Sequence, residues 1–149
     1  MSQMIRSDVC GCEVWAKAEQ LNPSGTGKDR IALAMLRHAE ACGSLPAGGG
    51  GVVVEGSSGS TSIALAPLCA QLGHRLVAVL PDDCSDEKRD ALAAFPGVQV
   101  ETVRAASIAS PSHYVNTARR RVRERGVRAT FFLKTNDETR SSLSRCVIS

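Results

Sequence analysis

The fold is decided by residues 52–80, which read VVVEGSSGSTSIALAPLCAQLGHRLVAVL. The β-branched run at 52–55 predicts a buried strand of a parallel sheet, because such strands are apolar on both faces. After a turn rich in glycine and serine, residues 61–72 are apolar nearly all round and predict a buried helix, with a kink or an early break at Pro67. Residues 75–80 predict a second strand, so the stretch is a strand–helix–strand unit of an α/β fold.

The alternation extends toward the amino terminus. Residues 12–20 are mostly period-two and predict a strand. A helix is predicted over residues 29–42, with Gly43 placed to end it. The residues expected on the inner face of this helix are Ile31, Ala34, Met35, Ala39 and Cys42.

The alternation also continues toward the carboxyl terminus. A helix is predicted to begin at Ser85, which precedes two acidic residues in the first turn, and a strand is predicted over 98–103. Ser110 and Pro111 predict the N-cap and the first residue of a further helix, and residues 127–133 predict the last strand. The inner face of that helix is expected to carry Tyr114, Val115, Ala118 and Val122.

Strands separated by helices predict a three-layer α/β fold, with a doubly wound, mostly parallel sheet covered on both faces. The chain has 149 residues, 43% of them hydrophobic, and a net charge of +3, a globular balance that fits one domain. We assign this domain to residues 1–133. From Lys134 the periodicity is lost, and residues 134–149 are predicted to form an unstructured tail.

Several classes of protein are disfavoured. No apolar run approaches the about 18 residues needed to span a bilayer. The arginine-rich stretch 119–128 is predicted to be a solvated helix face rather than a nucleic-acid site, and aromatic residues are too sparse for a base-stacking platform. Cys10 and Cys12 lie too close together for the usual zinc spacing. No targeting peptide is visible, which predicts a cytoplasmic protein, with the mitochondrion as the alternative for a longer native amino terminus.

The first loop that could carry chemistry is 22–30, NPSGTGKDR. It departs from a phosphate-binding P-loop at Asn22 and at Asp29, which leaves a nucleotide-binding module as a weaker alternative. The loop places Lys28 at the start of a helix, where the positive end of the helix dipole penalises an ammonium group. Such a lysine is a better amine nucleophile, as Schiff-base chemistry requires, while an ordinary exposed lysine is the alternative.

The second loop is 55–62, EGSSGSTS. It lacks the glycine spacing of a nucleophile elbow. Instead it presents backbone N–H groups and hydroxyls at a helix start, which predicts a site for a carboxylate or a phosphate. A plain glycine-rich turn is the alternative. Both loops are expected beyond the carboxyl ends of the strands, where α/β sheets bind their ligands.

The sequence resembles the PLP-dependent cysteine synthase/cystathionine β-synthase family, whose members are fold type II PLP enzymes, and most closely the fungal-type cysteine synthases. The resemblance rests on 17–33, KAEQLNPSGTGKDRIAL, and on 55–66, EGSSGSTSIALA, and it continues in order through 81–88 and 113–119. It implies that Lys28 forms the Schiff base with pyridoxal 5'-phosphate. It also implies that the substrate carboxylate is held by Ser57, Ser58, Gly59 and Thr61.

The resemblance further implies a β-replacement that forms L-cysteine from O-acetylserine, or a related serine derivative, and sulfide. Homocysteine is the alternative second substrate, and the full-length family implies a homodimer. Ser60 stands where most members have the asparagine that hydrogen-bonds the cofactor's 3'-hydroxyl, so we assign Ser60 to cofactor binding. Ser62 replaces a family glycine and is expected to crowd the entry to the helix.

The chain is expected to be a fragment of this fold, truncated at both ends. The family's amino-terminal Asn-Thr-Pro-Leu-type segment is missing, as is everything after about Phe131, including the cup for the cofactor phosphate and the serine that meets the pyridine nitrogen. A frameshift or an alternative splice product would account for the tail. A non-catalytic remnant that lacks the cofactor phosphate site is therefore the alternative to an active enzyme.

Overall fold

The computed structural model of the chain describes residues 2–6 and 13–125. Two short strands, β1 (Ser2–Arg6) and β2 (Glu13–Lys17), pair antiparallel, and a 3-10 turn follows at Glu19–Leu21. The remaining elements, in chain order, are α1 (Asp29–Ala41), β3 (Val52–Gly56), α2 (Ser60–Leu72), β4 (Arg75–Pro81), α3 (Asp86–Ala93), β5 (Val98–Val103) and α4 (Tyr114–Arg125). The sequence analysis does not predict β1, and it predicts β2 as part of a longer strand.

The central sheet is parallel, with the strand order β3-β4-β5. Val53 lies opposite Leu76, and Leu76 lies opposite Val98. Every residue of β3 is buried, as is every residue of β4 after Arg75. These three strands confirm the predicted parallel α/β unit, whereas the strand predicted at 127–133 and the tail at 134–149 lie outside the described residues.

The sheet separates two hydrophobic cores, which makes the fold three-layered. On one face, α1, α2 and α3 pack through a core that includes Ala32, Leu36, Val53, Leu65, Leu76, Leu80 and Leu92. On the other face, α4 packs through Val52, Val54, Val77, Val79 and Ala118. Successive residues of β3 therefore enter opposite cores, as the pleat of a strand requires. The predicted doubly wound arrangement is confirmed.

The buried face of α1 differs from the prediction. Its buried residues are Ala32, Met35, Leu36 and Ala39, whereas Ile31, Ala34 and Cys42 are exposed. The observed stripe 32, 35, 36, 39 has the same helical spacing as the predicted one, so periodicity alone does not choose between the two. The end of the helix is as predicted, because Gly43 adopts a φ of +75° directly after the C-cap.

Pro67 does not interrupt α2, so the predicted early break is wrong. The helix is continuous from Ser60 to Leu72 with the proline inside it. A proline in a helix interior costs about 3 kcal/mol through the lost N–H donor and the clash with the preceding turn. Packing of α2 against α1, α3 and the sheet, with six of its residues buried, offsets that cost.

The start of α4 is also different from the prediction. Ser110 and Pro111 belong to a turn, in which the His113 N–H donates to the Ser110 carbonyl at 3.1 Å, and the helix begins at Tyr114. The His113 ring supplies the cap instead, because its Nδ1 accepts the Val115 N–H at 3.2 Å. Tyr114, Ala118 and Val122 pack against the sheet as expected, and Val115 is half-buried.

The arginines of α4 lie mostly on its solvent-facing side. Arg119, Arg120 and Arg123 lie on an exposed face of α4, as predicted, and Arg121 pairs with Glu101 at 3.1 Å.

Cys69 and Cys84 are buried, and burial raises the pKa of the Cys69 thiol to about 12. Cys42 is exposed, contrary to its predicted place on the inner face of α1, and the other three cysteines lie outside the described residues. No helix within the described ranges is long and apolar enough to cross a membrane.

Candidate functional site

The lysine loop (residues 22–30) and the serine loop (residues 55–62) lie toward the same end of the fold. Helices α1 and α2 each have 13 residues and pack against each other. Their carboxyl ends meet, because Glu40 Oε1 is 3.2 Å from Nε2 of His74, which follows α2. Packed helices of equal length with joined carboxyl ends run in the same direction. Their amino-terminal ends therefore point toward the same side of the fold, that of the carboxyl end of β3, where such sheets bind ligands.

Lys28 is the N-cap residue of α1 and is half-buried. Its backbone is fixed on both sides, since its N–H donates to Thr26 Oγ1 at 3.2 Å and its carbonyl accepts the Ala32 N–H at 2.9 Å. Among residues 15–124, no carboxylate pairs with its amine. The lysine therefore has a fixed backbone and an amine that is available for covalent chemistry.

Hydrogen bonds within the lysine loop hold its shape. The Asn22 amide donates to Glu19 Oε2 and to the Thr26 carbonyl, each at 2.6 Å, and the Asn22 bond holds the pKa of Glu19 below its usual value. The Asp29 carboxylate accepts the Ser24 N–H at 3.0 Å and also the Ser24 hydroxyl. Asn22 and Asp29 are the two departures from a P-loop, and in this fold both stabilise the turn that precedes Lys28.

The serine loop leads into α2 through Gly59, the N-cap residue, whose φ of 125° is accessible to glycine. A Cβ at this position would lie 2.8 Å from Lys88 Cδ, a contact that the flexible lysine side chain can relieve by moving. No side chain caps the helix. The first N–H groups of α2 are thus left to meet a ligand, as at other helix starts that bind anions.

The hydroxyl side chains of the serine loop differ in burial and in hydrogen bonding. Ser57 and Thr61 are buried, Ser60 is half-buried and Ser58 is exposed. Within the described part of the chain, the hydroxyls of Ser58, Ser60 and Thr61 make no hydrogen bond. Ser57 Oγ accepts the Gly59 N–H at 3.2 Å and lies 2.9 Å from Ser62 Oγ. The loop therefore combines a preformed turn with several donors available to a ligand.

Ser62, which is expected to crowd the entry to the helix, is fully buried, and its Oγ lies 2.9 Å from Ser57 Oγ.

Gly56, the last residue of β3, approaches the start of α4 closely. A Cβ at Gly56 would lie 2.8 Å from the Tyr114 carbonyl. The sequence analysis missed this role, although a glycine at the end of a β-branched strand is the signal of a close backbone approach.

Cys84 is a further neighbour of the serine loop that the sequence analysis did not identify. It follows β4 and is buried, with its Sγ 3.9 Å from the Ser58 carbonyl. No local pattern marks it, because the contact joins residues 26 positions apart. Within the described ranges, no group of three His, Cys, Asp or Glu residues is arranged to hold a metal ion.

Comparison with known proteins gives a consistent picture. Residues 4–139 match the family model described as "Pyridoxal-phosphate dependent enzyme". Cysteine synthase 2 of Schizosaccharomyces pombe is 45% identical over 123 residues, which are 80% of this chain and 31% of that protein. A putative mitochondrial cysteine synthase of Saccharomyces cerevisiae is 44% identical over 126 residues, which are 81% of this chain and 32% of that protein.

A solved structure also resembles the chain. The crystal structure of an O-ureido-L-serine synthase superposes with a TM-score of 0.72 at 30% sequence identity, covering 88% of this chain and 40% of that one. The chain thus spans about a third of the length of the curated relatives it matches. The matched residues include both the lysine loop and the serine loop.

Proposed function

The chain belongs to the family of pyridoxal-phosphate dependent enzymes, with the fold of its fold type II members, and from this membership we propose that it carries out a β-replacement on a serine derivative. The proposed reaction forms L-cysteine from O-acetylserine, or a related serine derivative, and sulfide. The named relatives are cysteine synthases, which supports this choice of substrates. A homodimer is the proposed assembly.

The feature that carries the proposal is the presence of two helix starts toward the same end of the fold. The start of α1 presents the amine of Lys28, which has no carboxylate partner in residues 15–124, and the start of α2 presents hydroxyl and N–H groups that make no hydrogen bond within those residues. An amine can capture an aldehyde, and a helix start with hydroxyls can bind a carboxylate. The residues present therefore fit the reactive aldehyde of pyridoxal phosphate and the carboxylate of an amino acid.

Lys28 has two roles in the proposed reaction. Its Nζ would hold the cofactor covalently through the aldehyde carbon until the amino group of the substrate displaces it. The freed Lys28 amine would then take the proton from Cα of the substrate. The cofactor, when bound, supplies the electron sink that makes loss of this proton feasible. The hydrogen bonds around Asn22 and Asp29 fix the backbone from which the amine works.

The serine loop orients the substrate. Ser57, Ser58, Gly59 and Thr61 are proposed to hold its α-carboxylate through hydroxyls and the uncapped N–H groups of α2, which are strong donors to a charged acceptor. Ser60, the first residue of α2, is proposed to donate its hydroxyl to the cofactor's 3'-hydroxyl. Its half-buried side chain makes no hydrogen bond within the described part of the chain, which leaves it available for this role.

The assignment of Lys28 is tested by covalent labelling. We expect incubation with pyridoxal phosphate, followed by borohydride reduction, to modify Lys28, as located by mass spectrometry of the tryptic peptides. The Lys28→Ala variant should lose the label, and Lys17→Ala, which removes an exposed lysine of β2, should keep it. Equal labelling of the parent chain and the Lys28→Ala variant would overturn the assignment.

Turnover separates the enzyme from the remnant. The parent chain is expected to form cysteine from O-acetylserine and sulfide, and the Lys28→Ala variant is not. Homocysteine in place of sulfide tests the alternative second substrate. A chain that is labelled at Lys28 but forms neither product would be a cofactor-binding remnant without activity.

A further inference from the structure

The hydroxyls of Ser57 and Ser62 form a hydrogen bond that is shielded from solvent and lies within the serine loop proposed to bind the carboxylate. Ser62 lies in the first turn of α2 and is fully buried, and its Oγ is 2.9 Å from Ser57 Oγ. Ser57 is also buried, and its backbone N–H is engaged by the Val79 carbonyl at 3.2 Å. Because the backbone N–H of Ser57 is already bonded to Val79, the group of Ser57 that remains for a ligand is its hydroxyl.

The unequal burial of the two hydroxyls favours Ser62 as the donor. Ser57 Oγ already accepts the Gly59 N–H at 3.2 Å, and Ser62 Oγ has Ser57 as its partner within the described residues. If Ser57 donated to Ser62, the proton left without a partner would be that of Ser62, which is fully buried, whereas Ser57 is 9% exposed. An unmet donor costs more the more completely it is shielded from water. If Ser62 donates, both acceptor positions of Ser57 are filled and the Ser57 proton alone remains unspent.

We propose that Ser62 is a positioning residue for substrate recognition, whose hydroxyl donates to Ser57 Oγ and thereby directs the Ser57 proton at the substrate carboxylate. This inference rests on the proposed function, in which the serine loop binds that carboxylate. Fixing the donor before the ligand arrives avoids an ordering cost at binding, which is the general benefit of preorganisation. Ser62 itself, being fully buried, acts on the ligand through Ser57.

The test measures carboxylate binding rather than turnover. The chain is treated with pyridoxal phosphate and titrated calorimetrically with L-serine, and in parallel with L-serinamide, which lacks the anionic carboxylate. Loss of one hydrogen bond predicts that Ser62→Ala weakens L-serine binding by about two- to tenfold. Binding of L-serinamide should change by less than this factor, because the amide offers no charged acceptor.

A double-mutant cycle tests whether Ser62 acts through Ser57. Ser57→Ala is expected to weaken L-serine binding, and adding Ser62→Ala to that variant is expected to produce no further loss, since coupled residues are not additive. Ser44→Ala is the matched control. Ser44 is also a buried serine with a side-chain partner, Cys42 Sγ at 3.1 Å, but it lies beyond the opposite end of α1.

The outcomes separate this inference from the proposed function. If the parent chain binds L-serine and Ser62→Ala binds it equally well, the positioning role of Ser62 is wrong and the carboxylate site stands. Equal weakening of both ligands would likewise overturn the role, because it would indicate a purely structural effect. If the parent chain does not bind L-serine, both proposals fail. Should Ser62→Ala not fold by thermal melting, Ser62→Cys, with its weaker donor, is expected to give the same carboxylate-selective loss.

Discussion

At the scale of single residues, Gly59 illustrates how one backbone angle prepares a binding loop. Its φ of 125° turns the chain from β3 into α2 without a side-chain cap, and Lys88 covers the position where a Cβ would stand. Backbone strain therefore restricts this position to glycine. The strain follows from the backbone angle and is present before any ligand binds.

Gly59→Ala is expected to destabilise the fold by about 1–3 kcal/mol, because a non-glycine residue would be held in a sparsely populated backbone region. Urea unfolding of the purified chain measures this change. Gly25→Ala is the matched control, since Gly25 also has a positive φ, of 68°, but nothing lies within 4 Å of a Cβ there. A control that loses as much as Gly59→Ala would show that contact with Lys88 adds nothing.

His113 makes the stability of the chain depend on pH. Burial lowers the pKa of this imidazole from its ordinary value of 6.5, and its neutral Nδ1 accepts the Val115 N–H at the start of α4. As pH falls below 6.5, the unfolded chain takes up a proton that the folded chain resists. The contribution of neutral His113 to the free energy of unfolding is thus fully present above pH 6.5, and it is lost as the pH falls from this value toward the lowered pKa.

We expect His113→Gln to flatten the loss of unfolding free energy between pH 7 and pH 5.5, measured by denaturant titration at both values. His38→Gln, at an exposed position of α1, should keep the slope of the parent chain. An unchanged slope in His113→Gln would contradict the assignment of this pH dependence to His113.

At the scale of elements, His74 joins the carboxyl ends of α1 and α2. His74 Nδ1 accepts the Gly51 N–H at 3.2 Å, so its proton is on Nε2, which donates to Glu40. This bond holds the pKa of Glu40 below its usual value of 4.5. The contribution of the Glu40 carboxylate is therefore present above that value and is lost as pH falls through the lowered pKa.

His74→Ala is expected to destabilise the chain by about 2–4 kcal/mol, because it removes a fully buried ring together with two hydrogen bonds. Thermal or urea unfolding measures the loss. Glu40→Gln, which keeps an acceptor for Nε2, should lose much less than His74→Ala. Equal losses in the two variants would indicate that the charge of Glu40, rather than the imidazole, holds the helices together.

At the scale of the whole molecule, a set of large apolar side chains is unpartnered within the described part of the chain. Trp15, Leu21, Ile31 and Leu33 are 65%, 61%, 41% and 41% exposed. They lie within 20 residues of each other in sequence, and exposed apolar surface of this kind favours association.

The chain is expected to self-associate with rising concentration, as measured by sedimentation equilibrium. The variant Ile31→Gln with Leu33→Gln should shift the equilibrium toward the monomer, because it reduces the exposed apolar area. Ile108→Gln is the control, since Ile108 is 62% exposed but lies between β5 and α4, remote in sequence from the set at 15–33. A single species of 15.7 kDa at every concentration would contradict the prediction.

Much of this architecture is readable from local sequence. The strands β3, β4 and β5, the end of α1 at Gly43 and the start of α3 after Ser85 follow from β-branched runs, helical spacing and capping residues. Each of these signals acts over a few neighbouring residues. The two loops that carry the candidate site could be recognised for the same reason, because glycine, serine and lysine at strand ends and helix starts have direct chemical meaning.

The sequence by itself therefore determined the order of strands and helices and the chemistry available in each loop. Only the tertiary structure decided which stripe of α1 is buried, that α2 continues through Pro67, that His113 rather than Ser110 caps α4, and that Ser62 holds Ser57. These outcomes depend on the space and the partners that packed neighbours supply. The periodicity of a helix is compatible with more than one buried face, and the folded environment selects among them.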